Sequence, residues 1–226
     1  MPPETNHGEL TDMRRRTVLT ELGHAGVVAI FRTPSPDGVL DACRALCRSG
    51  VRAVEITLTI PDALPLLASI ADELDGEVVV GAGTVMDAAT CRRAIDAGAS
   101  FIVSPVADGS VIDVCAANDV VAVPGALTPT EVLSARSLGA DVVKLFPARV
   151  ATPAYLADLL GPIPGARMMP TGGIDITGVR EYLAAGAFTV GVGSALVSPL
   201  RVQHRDDAAI TEAARAFARA VAQART

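Results

Sequence analysis

Lys144 is the only lysine of the chain, which otherwise carries 18 arginines, and it lies within the apolar segment 142–147. A lysine in apolar surroundings can lose its proton and attack a carbonyl carbon to form an imine, whereas a guanidinium stays protonated. An ammonium in a strand covered on both faces also needs a compensating role, because neither face is solvated. We therefore interpret Lys144 as an imine-forming nucleophile; the alternative is one lysine left by chance in an arginine-preferring composition.

Glu55 is the carboxylate that best complements this amine. Residues at alternate positions of a strand share a face. Lys144 therefore lies on the same face as Val142, and Glu55 lies on the same face as Ala53 and Thr57. If the strands close into a barrel, as the strand–helix rhythm described below predicts, both ionisable groups can point to its inside. A buried carboxylate beside a lysine can act as acid and base at neutral pH; a purely structural ion pair is the alternative.

Glycine and hydroxyl residues occur together in three segments that end predicted strands, 81–84, 170–173 and 191–194. Small residues allow backbone N–H groups to approach an anion. The last two segments match the phosphate site that many barrels build from their two final loops and a helix N-terminus. Glycines that serve only tight strand-to-helix turns are the alternative for each loop.

The elements that must position these residues follow a strand–turn–helix rhythm. Short β-branched segments recur at intervals of about 19 to 27 residues, each followed by a turn and a helical pattern. They predict an α/β fold, a parallel (β/α)8 TIM barrel, with working residues at the carboxyl ends of the strands. An open doubly wound sheet is the alternative, but no dinucleotide fingerprint follows the first segment. The predicted strands are 27–31, 51–57, 78–84, 101–105, 120–124, 142–147, 167–173 and 188–194.

No linker or low-complexity stretch divides the chain, so we expect a single domain over residues 1–226. Residues 1–25 form a predicted N-terminal helical extension, with an amphipathic helix over 11–22, and residues 206–224 form a predicted closing helix. Between them, residues typical of helix starts follow the strands. These predicted starts are Asp62, Asp87, Asp108, Thr128, Thr152 and Asp175.

The overall charge excludes some classes of partner. A net charge of −6 and a pI near 5.0 argue against a nucleic-acid-binding surface, which needs clustered basic residues. No apolar run reaches the length of about 20 residues that spans a bilayer, and residues 1–10 are too polar for a signal peptide. These features predict a cytoplasmic protein with no nucleic-acid or membrane partner.

The potential metal ligands lack the spacing of a metal site. Cys43 and Cys47 stand four apart on a predicted helix, and Cys91 and Cys115 lie on two others. Buried free thiols are the expectation for such a chain. The histidines lie near the two ends of the chain, outside the strand motifs, so we predict no metal.

Six segments in matching order carry a resemblance to a known family. They are Val-Glu-Ile-Thr-Leu at 54–58, Gly-Ala-Gly-Thr-Val at 81–85, Ile-Val-Ser-Pro at 102–105, Val-Pro-Gly at 123–125, Val-Lys-Leu-Phe-Pro at 143–147 and Pro-Thr-Gly-Gly-Ile at 170–174. The chain resembles the 2-keto-3-deoxy-6-phosphogluconate aldolase family from about residue 27 to 199. Bifunctional members of that family also cleave 4-hydroxy-2-oxoglutarate.

The resemblance implies a homotrimeric class I aldolase that uses no metal and no cofactor. A small-molecule 2-keto acid would be cleaved reversibly to pyruvate and an aldehyde, glyceraldehyde 3-phosphate or glyoxylate. Lys144 would form the Schiff base, and Glu55 would act as acid and base through a bound water. Thr84 and Thr171 would hold the pyruvyl carboxylate and neighbouring oxygens, with Pro105 and Phe146 among the substrate contacts. The phosphate would be held by Gly172, Gly173, Gly193 and Ser194.

Thr59 is a departure from the family pattern. Family members commonly carry an arginine four residues after the glutamate, in Thr-Leu-Arg-Thr, and this chain has Thr59 there. A threonine cannot neutralise a carboxylate. We expect Arg32, at the end of the first predicted strand, to supply the missing charge, with Thr59 among the substrate-binding residues.

Three other functions share parts of this pattern. A phosphosugar isomerase or epimerase would use the same phosphate loops without an imine-forming lysine. A metal-dependent pyruvate aldolase would hold magnesium with Glu55 and an aspartate, leaving Lys144 an electrostatic role. A catalytically silent barrel would bind only the sugar phosphate.

Overall fold

The computed structural model describes residues 7–225, with side chains described from residue 13 onward. Strands and helices alternate through most of this part of the chain. The helices are α1 (His7–Ala25), α2 (Val39–Arg48), α3 (Ala63–Glu73), α4 (Ala88–Asp96), α5 (Gly109–Ala117), α6 (Pro129–Ser137), α7 (Pro153–Leu160), α8 (Ile176–Ala184), α9 (Pro199–Gln203) and α10 (Asp207–Ala224). The strands are β1 (Val27–Phe31), β2 (Ala53–Thr57), β3 (Val79–Gly83), β4 (Phe101–Val103), β5 (Val121–Val123), β6 (Gly125–Ala126), β7 (Val143–Leu145), β8 (Met168–Pro170) and β9 (Val190–Val192).

Every strand pair in the described chain is parallel, which confirms the predicted parallel α/β class. A curled sheet of six strands has the order β5-β4-β3-β2-β1-β9, and a second sheet has the order β6-β7-β8. An isolated parallel bridge pairs Thr171, just after β8, with Gly191 of β9. Consecutive strands are neighbours from β1 to β5, so this sheet lacks the reversal of strand order that defines a doubly wound fold.

The fifth predicted strand, 120–124, divides into two strands with different neighbours. β5 pairs with β4, and β6 pairs with β7 through Gly125 and Lys144. Pro124 lies between β5 and β6, and proline has no N–H to donate to a ladder. Its carbonyl instead accepts the backbone N–H of Lys144 at 2.8 Å. Sequence periodicity did not predict this change of partner.

Successive side chains of each strand point to opposite faces of the sheet. They form an outer core, packed against the helices, and a smaller cluster on the inner face. Val143 and Leu145 belong to the outer core, whereas Val142 and Ala53 belong to the inner cluster. This confirms the predicted parity of β2 and β7. The inner cluster comprises Val18, Leu22, Val28, Ala53, Val79, Phe101, Val103, Val121, Val123, Val142 and Met169.

Two glycines of β3 leave room for neighbouring side chains on the inner face. A Cβ at Gly81 would overlap the Phe101 ring, and a Cβ at Gly83 would overlap the Glu55 carboxylate. In-register parallel pairing sets Gly81 opposite both Glu55 and Phe101. Because Gly81 and Gly83 have no side chains, β3 leaves room for Glu55 of β2 and Phe101 of β4.

Most of the predicted helix starts are N-caps in the structure. At each of these positions a side-chain oxygen accepts a backbone N–H of the first turn, which satisfies a donor the helix cannot pair internally. The confirmed caps are Asp87, Asp108, Thr128, Thr152 and Asp175. Asp62 also precedes its helix, but its backbone is left-handed and its side chain makes no cap hydrogen bond.

The helix predicted over residues 11–22 lies within α1, whose Val18 and Leu22 join the inner cluster. The predicted closing helix corresponds to α10, with Asp206 as its N-cap. Residues 1–6 of the predicted extension lie outside the described residues. Within residues 7–225, no helix has both the length and the apolar character needed to cross a membrane.

Candidate active site

A cleft of about 730 Å³ lies at the carboxyl ends of the strands. Ten of the twelve residues predicted for the site line it; of the other two, Glu55 is fully buried and Thr59 is hydrogen-bonded to the lining residue Arg32. The lining residues from the prediction are Arg32, Thr84, Pro105, Lys144, Phe146, Thr171, Gly172, Gly173, Gly193 and Ser194. The structure thus brings together side chains that are separated by more than 160 positions in the sequence.

Lys144 projects from the middle of β7 into this cleft and is only 5 % exposed. Its backbone is fixed by pairing with Gly125 on one side and Met169 on the other. The Nζ atom lies 5.1 Å from the centre of the Phe146 ring, within the range of a cation–π contact. The amine therefore has a defined position and a narrow route to solvent.

Glu55 lies fully buried on the inner face of β2, in register with Ile30 and Gly81. Neither carboxylate oxygen has a hydrogen-bond partner among the described residues, and Glu55 forms no ion pair with Lys144. Burial raises the pKa of Glu55 above its ordinary value, while the positive charges of Lys144 and Arg32 oppose that rise. A carboxyl group with a raised pKa can exchange a proton closer to neutral pH.

Arg32 reaches across the ends of β2 and β3. Its guanidinium donates to Thr59 Oγ1 at 3.2 Å and to Thr84 Oγ1 at 3.1 Å. Thr57 Oγ1 donates to the carbonyl of Phe31 at 2.8 Å and lies 3.0 Å from Thr59 Oγ1. Thr59 therefore donates to Thr57 and accepts from Arg32, and this continuous chain of hydrogen bonds orients the guanidinium.

Thr84 adopts a left-handed backbone conformation, with φ of 63°, directly after β3. This conformation is strained for a β-branched residue and costs about 1–3 kcal/mol. Its hydroxyl accepts from Arg32 and lines the cleft. The fold thus holds an unfavourable backbone conformation where a polar group faces the cleft.

Thr171 joins the ends of β7, β8 and β9. Its N–H donates to Leu145 at 3.0 Å, and its carbonyl accepts from Ala148 at 2.8 Å. Its hydroxyl donates to the carbonyl of Met169 at 3.2 Å. A Cβ at Gly191 would overlap the Thr171 hydroxyl, so this glycine permits the close approach of the two strand ends.

The loops after β8 and β9 present unpaired backbone donors to the cleft. The N–H groups of Gly172, Gly173, Ser194 and Ala195 donate to no other described residue. Gly172 and Gly173 have φ of 117° and 73°, conformations that glycine adopts without steric cost. The first of these loops leads into α8, whose N-terminal end favours negative charge. Together the loops form a pocket suited to a phosphate.

Arg149 lines the same end of the cleft and was missed by the sequence analysis. It lies five residues after Lys144, beyond the strand, in a turn for which periodicity gives no orientation. A Cβ at Gly173 would lie 2.6 Å from Arg149 Nε, so the side chain crosses directly over this glycine. Asp175 also lines the cleft, but one of its oxygens is engaged as the α8 cap.

A second cavity, of about 770 Å³, opens at the opposite ends of the strands. Its walls include Arg52, Val78 and Ser100, which precede β2, β3 and β4, together with parts of α1 and α10. Neither Lys144 nor Glu55 contributes to it. We therefore assign the candidate chemistry to the cleft at the carboxyl ends.

The cysteines are free and buried, as predicted. Cys91 Sγ and Cys115 Sγ lie 3.7 Å apart, between α4 and α5. Burial raises the pKa of the Cys43 thiol far above its ordinary value. None of the four lines the cleft.

Comparison with known proteins agrees with the motifs and the geometry. A family model for KDPG and KHG aldolase, that is 2-keto-3-deoxy-6-phosphogluconate and 2-keto-4-hydroxyglutarate aldolase, matches residues 18–213. The chain is 33% identical over 174 residues to a probable 2-dehydro-3-deoxy-6-phosphogalactonate aldolase of Rhizobium meliloti, covering 76% of this chain and 82% of the relative. It is 34% identical over 189 residues to a 2-dehydro-3-deoxy-phosphogluconate aldolase of Pseudomonas aeruginosa, covering 83% and 85%.

A solved structure extends this similarity to the three-dimensional level. It is the KDPG aldolase of Legionella pneumophila with pyruvate captured as a covalent carbinolamine intermediate. The two folds align with a TM-score of 0.82 at 25% identity, covering 90% of this chain and 97% of the other. The matched family model and the curated relatives span most of the chain, and on these grounds the chain belongs to the KDPG and KHG aldolase family.

Proposed function

We propose that this protein is a class I aldolase that cleaves 2-keto-3-deoxy-6-phosphogluconate reversibly to pyruvate and glyceraldehyde 3-phosphate. The observation that carries the proposal is the position of Lys144, the only lysine, inside the cleft, together with the buried carboxylate of Glu55, which has no hydrogen-bond partner among the described residues. We propose 4-hydroxy-2-oxoglutarate as a second substrate, which would give pyruvate and glyoxylate. Family membership supports both substrates.

The first chemical step joins the Lys144 amine to the C2 carbonyl of the substrate. Nucleophilic attack gives a carbinolamine, and loss of water from it gives a protonated imine. Glu55 is the acid and base for these proton transfers, acting through a water molecule. Its raised pKa and its burial behind the cleft support this role.

The second step breaks the C3–C4 bond. The C4 hydroxyl gives up its proton to Glu55 through the water molecule, the aldehyde departs, and the electron pair of the broken bond moves through C3 into the protonated imine. The resulting enamine takes a proton at C3. Hydrolysis of the pyruvyl imine then restores the Lys144 amine and releases pyruvate, so that atoms and charge balance over the cycle.

Arg32 and Thr84 hold the C1 carboxylate in our proposal. Arg32 takes the role of the arginine that relatives carry at the position of Thr59, and Thr59 orients it. The hydrogen bonds from Arg32 to both threonines support this arrangement. A guanidinium fixed in this way can donate to a carboxylate with little loss of side-chain freedom.

The remaining predicted residues form the rest of the substrate site. Thr171 binds oxygens next to the reacting carbons, while Pro105 and Phe146 form apolar walls. The phosphate is bound by the loops that contain Gly172, Gly173, Gly193 and Ser194. Their unpaired N–H groups and the adjacent α8 N-terminus support this assignment.

We also propose that the two sheets close into one eight-stranded (β/α)8 TIM barrel that forms a single domain over residues 1–226, with residues 1–25 as its N-terminal helical extension. The bridge between Thr171 and Gly191 and the succession of β5 and β6 across Pro124 support closure of the barrel.

A homotrimer in the cytoplasm is the assembly and location that the family resemblance and the acidic composition favour. Sedimentation velocity and cell fractionation test these two points.

The C4 epimer, 2-keto-3-deoxy-6-phosphogalactonate, is a second candidate substrate. The similarity to the Rhizobium meliloti relative favours it. Both epimers share the carboxylate, the keto group and the phosphate, so the same cleft chemistry applies to either. Turnover of the two epimers side by side, with pyruvate release coupled to lactate dehydrogenase, measures the preference.

Borohydride trapping tests the chemistry directly. With pyruvate present, the reagent should reduce the imine and add one pyruvate-derived mass to the peptide that contains Lys144. Lys144→Arg should abolish both the adduct and turnover, whereas a phosphosugar isomerase or epimerase would tolerate this change. Loss of activity in EDTA would support the metal-dependent aldolase instead. An unmodified Lys144 in an enzyme that still releases pyruvate would refute the imine.

A further inference from the structure

We propose that Arg149 makes the cleft selective for a substrate whose distal group is a phosphate. This inference rests on the proposed function, because it concerns the end of the cleft remote from the imine-forming amine. Arg149 is not among the residues that the family motifs assign to the site. Its position over Gly173 is specific to the structure.

The charges lining the cleft lead to this assignment. Among the described residues, the cationic side chains that line it are Arg32, Lys144 and Arg149. Arg32 is tied to Thr59 and Thr84 at the carboxylate end, and Lys144 is the group that reacts. Arg149 is therefore the full positive charge that remains for the distal end of a bound substrate.

Arg149 is also available to bind an anion. Its guanidinium forms no hydrogen bond or ion pair with another described residue, although its stem lies against Gly173. The unpaired N–H groups of Gly172 and Gly173 lie beside it. A guanidinium next to a cradle of backbone donors is a common geometry for binding phosphate oxygens.

The acidic residue nearby does not cancel this charge. Asp175 lines the cleft, but its Oδ1 accepts the N–H of Gly178 at 2.9 Å, which engages the carboxylate at the start of α8. The negative charge of Asp175 repels a phosphate dianion more than a neutral distal group, so selectivity for phosphate requires that Arg149 and the neighbouring backbone N–H groups outweigh this repulsion. The balance favours discrimination by charge.

The test compares 2-keto-3-deoxy-6-phosphogluconate with 2-keto-3-deoxygluconate, which lacks the phosphate. For Arg149→Met, which keeps an apolar stem over Gly173, kcat/KM on the phosphorylated substrate should fall about tenfold to hundredfold, mainly through KM. On the unphosphorylated substrate it should change by less than about twofold. Arg149→Lys should retain part of the preference, because it keeps the charge without the bidentate geometry.

Arg180→Ala is the matched control, because it removes an exposed arginine of α8 that does not line the cleft. It should leave the ratio of the two substrates unchanged. An equal loss on both substrates in Arg149→Met would assign Arg149 a purely structural role over Gly173 and overturn the inference. Unchanged kcat/KM on both substrates would overturn it as well.

Binding of inorganic phosphate separates this inference from the proposed function. Calorimetry with phosphate alone should give weaker binding to Arg149→Met than to the wild type or to Arg180→Ala. If phosphate binding depends on Arg149 while no 2-keto acid is cleaved, the selectivity stands and the aldolase proposal fails. If pyruvate is trapped on Lys144 while phosphate binding ignores Arg149, the aldolase stands and this inference fails.

Discussion

The carboxylate of Glu55 occupies the space in which a side chain at position 83 would lie. Gly83 of β3 is in register with Thr57 of β2, and its missing Cβ lets Glu55 lie flat against β3. The carboxyl group that we propose as acid and base is thus accommodated because Gly83 has no side chain. This relationship makes Gly83 part of the site although it offers no functional group.

Gly83→Ala tests the relationship. The new methyl group should displace Glu55, lower the free energy of unfolding by about 1–3 kcal/mol and reduce kcat severely. Chemical denaturation and the pyruvate-coupled assay measure the two effects. Gly109→Ala on α5 is the control, because its nearest neighbour would lie at an ordinary 3.5 Å. Unchanged kcat in Gly83→Ala would show that Glu55 is not confined as described.

Glu55→Gln should separate catalysis from stability. An amide cannot transfer the protons, so kcat should fall at least about hundredfold. Burial raises the pKa of Glu55 in the folded state, so below its ordinary value of 4.5 the folded and unfolded forms are both protonated. As pH rises above 4.5 the unfolded form ionises first, and the wild type loses stability.

The stability of Glu55→Gln relative to the wild type should therefore increase from about pH 4.5 up to the raised pKa and then level off. Urea denaturation at a series of pH values measures this difference. A relative stability of Glu55→Gln that falls over the same range would mean that the folded protein favours the ionised carboxylate.

Arg32→Ala should weaken the binding of any 2-keto acid by about tenfold to hundredfold, because a charge-assisted contact to the carboxylate is lost. The pyruvate concentration needed for half-maximal trapping by borohydride measures this effect. Adding Thr59→Arg to the variant should restore part of the affinity, since it returns the guanidinium to the position that relatives use. Arg92→Ala, on the exposed surface of α4, serves as the control. Equal affinity in Arg32→Ala and the control would exclude this role.

Thr84→Gly should stabilise the fold while impairing the enzyme. Glycine relieves the strain of the left-handed conformation, and after its own entropic cost a gain of about 0.5–2 kcal/mol is expected. The hydroxyl that accepts from Arg32 is lost, so KM should rise, whereas Thr84→Ser should keep a KM close to that of the wild type. Asp119→Gly, at another left-handed position outside the cleft, should change stability alone.

The sequence carried the strand rhythm, the helix caps and the inward parity of Lys144 and Glu55 because these features depend on local periodicity and on side chains that bond to their own turn. The break at Pro124 escaped prediction, since a change of ladder partner depends on a strand distant in sequence. Arg149 escaped because a side chain in a turn has no periodicity to orient it. Arg32 was expected from a missing charge, but its hydrogen bonds to two threonines required the packed ends of three strands.

A further consequence follows from Lys144 being the chain's only lysine. Protein made with carbon-13-labelled lysine would give one set of side-chain resonances, and every change in that set would report on a single amine. Acylating reagents applied to the folded enzyme should meet one nearly enclosed side-chain target, apart from the chain terminus. The composition thus supplies a built-in spectroscopic probe at the amine that we propose as the nucleophile, with no need to engineer a label into the protein.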